Sequence, residues 1–533
     1  MNQVYCRWTL TLVLMTTLLT GCSKINKAQS EPEQIESLQV EEGREYVGKD
    51  LSLWFEDITL AKTLKKVGEN NPLMTQRFGA DPYVIVYKDR VYVYMTGDTL
   101  EYDEKQNIKN NTYGKINTIN VLSSEDLVNW TDHGSIYAAG YKGASKWGNN
   151  SWAPAVAYKE INGEMKFFLY FANGGNGIGV LTADSPVGPF TDPLDKALIS
   201  RETPNCDTVT WLFDPAVLVD DDGRAYLYFG GGIPNGQEKY PGTGRVVELG
   251  EDMISLVGIP QALEIPYLFE DSGINKIGDT YYYSYCSNWN VPTEEVKNLK
   301  FESAEIVYMT SENPMGPFTL QGSILKNPGK FFGCYGNNHH CLFEFHHKWY
   351  IAYHTQMMEQ RMGVSGGYRS TFINEVTVNE DGSISPITGT IRGVEATKAL
   401  NPYERVEAET MATMGGINTI QQGQYSKYYG AGNMAVCDIE TGDWMALSYV
   451  NFGEEGASSY TASVKVVEGQ EGAIQIRKDA LDGEVIGYLE IQPDMEGEYK
   501  ELSAELLSRV KGIHDLFFIF YGEGYYLDYW YFS

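Results

Sequence analysis

A pair of short apolar runs joined by a tight turn recurs five times in this chain, and no other feature constrains the fold as strongly. Its most open copy is Phe213-Asp214-Pro215-Ala216-Val217-Leu218-Val219, then Asp220-Asp221-Asp222-Gly223, then Ala225-Tyr226-Leu227-Tyr228-Phe229-Gly230. β-Branched and aromatic residues on either side of Asp-Gly predict a β-hairpin. The same design stands at Ala80-Asp81-Pro82-Tyr83-Val84 with Tyr92-Val93-Tyr94, and at Trp152-Ala153-Pro154-Ala155-Val156 with Phe168-Leu169-Tyr170. It returns at Phe269-Glu270-Asp271-Ser272-Gly273 with Tyr281-Tyr282-Tyr283, and at Asn338-His339-His340-Cys341-Leu342 with Trp349-Tyr350-Ile351. Copies lie roughly 55 to 75 residues apart, the length of a four-stranded sheet with generous loops. An all-β, five-bladed β-propeller is the expectation. Equivalent positions in such a ring face one end of a central channel. Aligning the hairpins puts Asp81, Ala153, Asp214, Glu270 and His339 there.

Three of those five side chains are carboxylates. An Asp before Pro often does no more than start a strand, and one such motif would say little. Three at one repeat position are harder to explain structurally, because clustered like charges cost stability. Breaking an acetal near neutral pH needs a proton for the leaving oxygen and an activated nucleophile, which two carboxyl groups supply. A third carboxylate nearby raises the pKa of the acid by like-charge repulsion. Glu270, between Phe269 and Ser272-Gly273, has an apolar setting and the longer reach that suit the acid.

Composition excludes some classes. A formal net charge of −30 argues against nucleic acid, whose phosphates call for a basic patch. Arg7, an apolar run from Trp8 to Leu19 and then Leu19-Thr20-Gly21-Cys22 read as an export signal, too short to span a membrane and stay. That ending resembles a bacterial lipobox, which implies cleavage before Cys22, its lipidation and an exported, cell-surface lipoprotein. The membrane would then be a partner through that anchor alone, and a monomer is expected. The five later cysteines (Cys206, Cys286, Cys334, Cys341, Cys437) have no paired spacing and read as buried apolar fillers.

Four segments follow: a signal peptide at 1–22, a polar tether at 23–65 closing in a short helix through Ile58–Lys66, a propeller at 66–402 and a last domain at 403–533. That last domain has short apolar runs such as Ala446-Leu447-Ser448-Tyr449-Val450 and Leu516-Phe517-Phe518-Ile519-Phe520, the pattern of a β-sandwich of jelly-roll type.

The motifs Ala80-Asp81-Pro82, Phe213-Asp214-Pro215-Ala216-Val217 and Phe269-Glu270, in this order, resemble glycoside hydrolase family 43. Asn149-Asn150-Ser151-Trp152-Ala153-Pro154, Gly336-Asn337-Asn338-His339-His340 and Gly367-Tyr368-Arg369-Ser370 resemble its bacterial arabinoxylan arabinofuranohydrolases. The resemblance implies inverting removal of α-L-arabinofuranosyl groups from arabinoxylan, without a catalytic cofactor. It makes Asp81 the general base, Glu270 the general acid and Asp214 the modulator. It implies an axial calcium with His339 beside it, holding its waters. Trp152 and Arg369 are the expected substrate contacts, with Arg369 also able to steady a carboxylate such as Asp214; Asn288 is a weaker candidate. Arg405-Val406-Glu407-Ala408-Glu409, Gly442-Asp443-Trp444 and Leu527-Asp528-Tyr529-Trp530 resemble carbohydrate-binding module family 6. That implies a structural calcium on Glu407, Glu409 and Asp528. Its loop at 492–498 lacks an aromatic for stacking on sugar, which leaves Tyr425, Tyr428 or Tyr429, or a purely bracing role. The rival readings are a β-xylosidase of the same family and an inactive surface glycan-binding protein.

Overall fold

A computed structural model of the chain describes residues 50–422, 433–467, 471–493 and 497–533. The signal peptide, Cys22, residues 23–49, Tyr425, Tyr428, Tyr429 and positions 494–496 lie outside them. Contacts divide the chain into Met1–Glu56 and Asp57–Ser533. In the first, Leu51–Phe55 forms one 3-10 turn, capped by Asp50. In the second, the short helix expected at Ile58–Lys66 does not form. Backbone groups there pair with other segments instead: Ala61 N–H donates to the Gly442 carbonyl at 2.9 Å, and its own carbonyl accepts from Trp444 Nε1 at 2.9 Å.

Residues 80–376 build five successive antiparallel sheets. The first holds Ala80–Tyr87, Arg90–Thr96, Thr118–Ser124 and Trp130–Tyr137; the second holds Trp152–Ile161, Glu164–Ala172, Gly177–Ala183 and Ile199–Ser200. The third holds Ala216–Val219, Ala225–Phe229, Arg245–Leu249 and Leu256–Ala262; the fourth holds Leu268–Ile277, Thr280–Ser287, Ile306–Ser311 and Thr319–Leu325. The fifth holds His340–Phe345, Lys348–Thr355 and Ser370–Val376. Leading strands touch in order, from Ala80–Tyr87 to Trp152–Ile161, Ala216–Val219, Leu268–Ile277 and His340–Phe345, and the last touches the first again. The segment before the first strand is stitched to the last sheet: Leu73 N–H donates to Thr371 and Gly79 N–H to Arg369, both at 3.0 Å.

Aromatic residues fill the space between sheets because they combine area with a polar tip. Tyr83 reaches the Val217 carbonyl at 2.8 Å, Tyr94 that of Pro186 at 2.6 Å and Tyr170 that of Met253 at 2.7 Å. Each hydroxyl ties one sheet to another, while burying a ring of this size yields roughly 1.5–3 kcal/mol.

The first, second and fourth copies break their hairpin ladder at the start. Pairing skips from Ala80 to Tyr83, from Trp152 to Ala155 and from Glu270 to Gly273. Such bulges re-aim side chains. The first bulged residue has a left-handed backbone: φ is 47° at Asp81, 40° at Ala153 and 70° at Asp271, with 49° at Asp214 in the third copy. This corrects the alignment read from sequence. The fourth-copy counterpart of Asp81 and Asp214 is Asp271, and Glu270 stands one residue earlier, level with Ala80, Trp152 and Phe213.

The C-terminal residues form two antiparallel sheets. One orders Thr413–Gly415, Trp444–Asn451, Ile513–Tyr521, Gly472–Lys478 and Val485–Ile491; the other contains Asn418–Gln421, Met434–Cys437, Tyr525–Phe532, Ala457–Val466 and Lys500–Val510. Leu447, Ile474, Ile476, Tyr460, Phe518, Phe520 and Trp530 belong to their own core. The two parts share backbone: Thr410 and Met411 pair with Thr131 and Trp130, extending the first sheet. Asn129 and Ser448 exchange two hydrogen bonds, at 2.8 and 2.9 Å.

Candidate active site

Asp81 and Asp214, both with left-handed backbones, line a cavity of about 170 Å³ together with Tyr113, Trp152, Phe213, Glu270, Asn337, His339 and Arg369. Six residues singled out in the sequence line this one cavity: Asp81, Trp152, Asp214, Glu270, His339 and Arg369.

Asp81 is built to stay charged. Burial works against its charge, but Arg369, whose Nη1 lies 2.7 Å from Oδ1, outweighs it and holds the carboxyl far below the usual carboxylate range. Arg369 is itself fixed. Its Nε and Nη2 fork onto Asp98 at 2.9 and 2.8 Å, its backbone N–H adds a bond at 3.1 Å, and its guanidinium lies over the Tyr113 ring, 5.0 Å from the centroid. The guanidinium thus steadies Asp81 rather than Asp214, because Asp98 sets its orientation. Asp81 N–H donates to His354 Nδ1 at 3.0 Å, so the proton of that ring sits on Nε2, which faces the Asn337 carbonyl at 3.0 Å.

Glu270 has the opposite environment. Burial first, then the charges of Asp214, Asp81 and Asp271, push its carboxyl well above the ordinary value, and Oε1 is buried with no hydrogen-bond partner. Burial and the Asp81 charge push Asp214 up as well. Asp214 Oδ2, however, accepts the Asp271 N–H at 2.9 Å. The proton this pair retains therefore sits on Glu270, where no donor rewards a negative charge. One cavity holds a carboxylate and a carboxylic acid, the equipment for general-base and general-acid chemistry.

Asn288 does not join the site. Its Oδ1 accepts from Asn290 N–H at 3.0 Å and its backbone bonds Tyr267, so it shapes a loop. Asp98, Tyr113 and His354 escaped sequence reasoning, and Asn337 stood in a quoted motif without a role: they lie outside the repeat position, and only the step of Gly97-Asp98 just past a strand end marks one of them.

Among the described residues, no group of three or more His, Cys, Asp or Glu side chains could hold a metal ion as it stands. The His339 ring is committed, with Nε2 3.1 Å from Asp271 and Nδ1 3.6 and 3.8 Å from Asp81 and Asp214. Burial holds it below its ordinary pKa. In the sandwich, Glu409 Oε2 is buried without a partner, and burial followed by the Glu407 charge raises its carboxyl well above normal. An orphaned oxygen near two further carboxylates suits a hard cation in kind. Arg405, forked onto Glu407 at 2.8 and 2.9 Å, must release it first.

A cavity that pairs a charged and a neutral carboxyl group suits the hydrolysis of acetals, with no cofactor needed for the chemistry. Residues 70–384 match Glycosyl hydrolases family 43 and residues 407–533 match Carbohydrate binding module (family 6). The chain belongs to glycosyl hydrolase family 43, and its architecture is that family's β-propeller followed by a β-sandwich. It is 47% identical over 470 residues to an arabinoxylan arabinofuranohydrolase of Paenibacillus polymyxa, covering 86% of this chain and 72% of the relative. It is 46% identical over 490 residues to one from Bacillus subtilis (strain 168), covering 88% and 93%. A crystal structure of a family 43 arabinoxylan arabinofuranohydrolase from Bacillus subtilis, in complex with cellotetraose, superposes with a TM-score of 0.83 at 45% identity, covering 89% of this chain and 99% of that one.

Proposed function

We propose that the protein removes α-L-arabinofuranosyl side groups from arabinoxylan or its oligosaccharides by an inverting hydrolysis. The observation that carries this reading is the split in charge state across one cavity, Asp81 ionised beside Arg369 and Glu270 neutral beside Asp214. Asp81 draws a proton from water as that water attacks the anomeric carbon. Glu270 gives its proton to the departing sugar oxygen, and Asp214 keeps Glu270 protonated until then. Trp152 offers the sugar an aromatic face. The substrate follows from the relatives and from a cavity sized for one side group. A product profile on defined arabinoxylan oligosaccharides tests it: free arabinose is expected. Free xylose would favour a β-xylosidase, and no release an inactive binding protein.

Five sheets whose leading strands touch in cyclic order support five blades, and the separate cores support a boundary near residue 402. Leu19-Thr20-Gly21-Cys22 supports an exported, surface-anchored lipoprotein lipidated at Cys22, with residues 1–22 removed and 23–65 as tether. A structural calcium is assigned to Glu407, Glu409 and Asp528 once Arg405 lets go, and a second, held through waters, to the axis beside His339. A monomer is assigned in solution. Mass spectrometry of the mature N-terminus decides the anchor: an N-terminus other than an acylated Cys22 would refute it.

A further inference from the structure

We infer that Asp271 is a positioning residue for the hydrolytic pair, acting through Asp214 and Glu270, with His340 and Ser284 as its anchors. The inference rests on Glu270 being the proton donor. Asp271 is fully buried and lines no part of the cavity, yet it touches both acids: it follows Glu270 in the chain, and its N–H reaches Asp214 Oδ2 at 2.9 Å.

Comparison with the other bulges isolates what its carboxylate is for. At each of three bulges the first residue donates its N–H to a side chain of the adjoining repeat. Asp81 gives to His354 Nδ1 at 3.0 Å, Ala153 to Thr96 Oγ1 at 2.8 Å and Asp271 to Asp214. Alanine performs this task in the second copy, so the bulge itself needs no carboxylate. In the fourth copy the carboxylate has its own binding frame. It accepts the His340 N–H at 3.2 Å, lies 2.6 Å from His340 Nδ1 and 3.1 Å from His339 Nε2. His340 Nε2 is held in turn by Ser284 Oγ at 2.8 Å. Gly273 leaves room for this frame: a Cβ there would come within 2.5 Å of Ser284 Oγ and 3.1 Å of the His340 ring. A left-handed φ of 70° is thereby pinned from three directions, which fixes the N–H on Asp214 and the direction in which Glu270 leaves the strand.

The test uses the full-length protein with arabinoxylan and with a nitrophenyl arabinofuranoside, whose leaving group departs almost unaided. Asp271→Asn keeps the size and one acceptor oxygen. It is expected to lower kcat on arabinoxylan by ~10–100-fold, with KM within about twofold and a smaller loss on the activated substrate. Ser284→Ala is expected to show the same pattern at several-fold, restored by Ser284→Thr, which returns the hydroxyl. Equal losses on both substrates, or a raised KM at unchanged kcat, would overturn the inference. If Asp271→Asn does not fold, a folded Ser284→Ala with the parental kcat on arabinoxylan would overturn it as well. Glu270→Gln is measured alongside. Equal losses there sink the donor assignment and this inference with it; unequal losses there and equal ones in Asp271→Asn sink this inference alone.

Discussion

The two walls of the cavity solve opposite problems with the same kind of side chain. On one wall Asp81 is buried beside a guanidinium that Asp98 and Tyr113 hold in place, and it stays charged. On the other, Glu270 is equally buried, lacks any cation of its own and keeps its proton. Burial alone would neutralise both. What separates them is one fixed positive charge, placed against one carboxylate and not the other. Acid and base in this site are thus a matter of neighbours rather than of residue type.

The comparison breaks most completely at Asp81. Asp81→Asn is expected to lower turnover by ~10²–10⁴-fold on natural and activated substrates alike, because water must be activated in both cases. Turnover near the parental value would remove Asp81 from the mechanism. Glu270→Gln sharpens the contrast, with a comparable loss on arabinoxylan, whose leaving sugar hydroxyl needs a proton, and a much smaller one on a nitrophenyl arabinofuranoside. It should also abolish the basic limb of the pH profile on the activated substrate, since that limb marks loss of the Glu270 proton. Persistence of the limb would point to another acid.

Arg369→Met asks what the cation contributes. Without it, burial acts unopposed, so the Asp81 pKa rises and the acidic limb of kcat/KM should move up by ~1–3 pH units. Activity is lost first at low pH and regained as pH rises, and an unmoved limb would show that something else keeps Asp81 ionised. The smallest effect is expected far from either wall. Asn129→Ala breaks the paired hydrogen bonds to Ser448 and should lower unfolding stability by ~1–3 kcal/mol without changing kcat. Denaturant unfolding measures this, and an unchanged midpoint would deny the junction a stabilising role.

The fold was legible because repetition is a local signal. Each hairpin carries its own β-branched strands and turn residues, and five copies state the architecture without any knowledge of contacts. Asp81, Asp214 and Glu270 stood out for the same reason, whereas Cys206, Cys286, Cys334, Cys341 and Cys437, which have no paired spacing, are buried as their apolar character implied. The repeat also misled, by one residue: Phe269-Glu270 reads like Phe213-Asp214, but the ladder skips after Glu270, and the twisted position is Asp271.

What the sequence determined by itself, then, was the all-β class, and it singled out the acids Asp81, Asp214 and Glu270. The tertiary structure decided which of those acids is charged. Arg369 meets Asp81 across 288 residues of chain, and Asp98 meets Arg369 across 271. No local pattern encodes such a meeting, because it depends on the last sheet closing against the first. The pKa of a buried carboxyl follows from the charges within a few ångströms of it. Those distances exist only once the ring of sheets has formed.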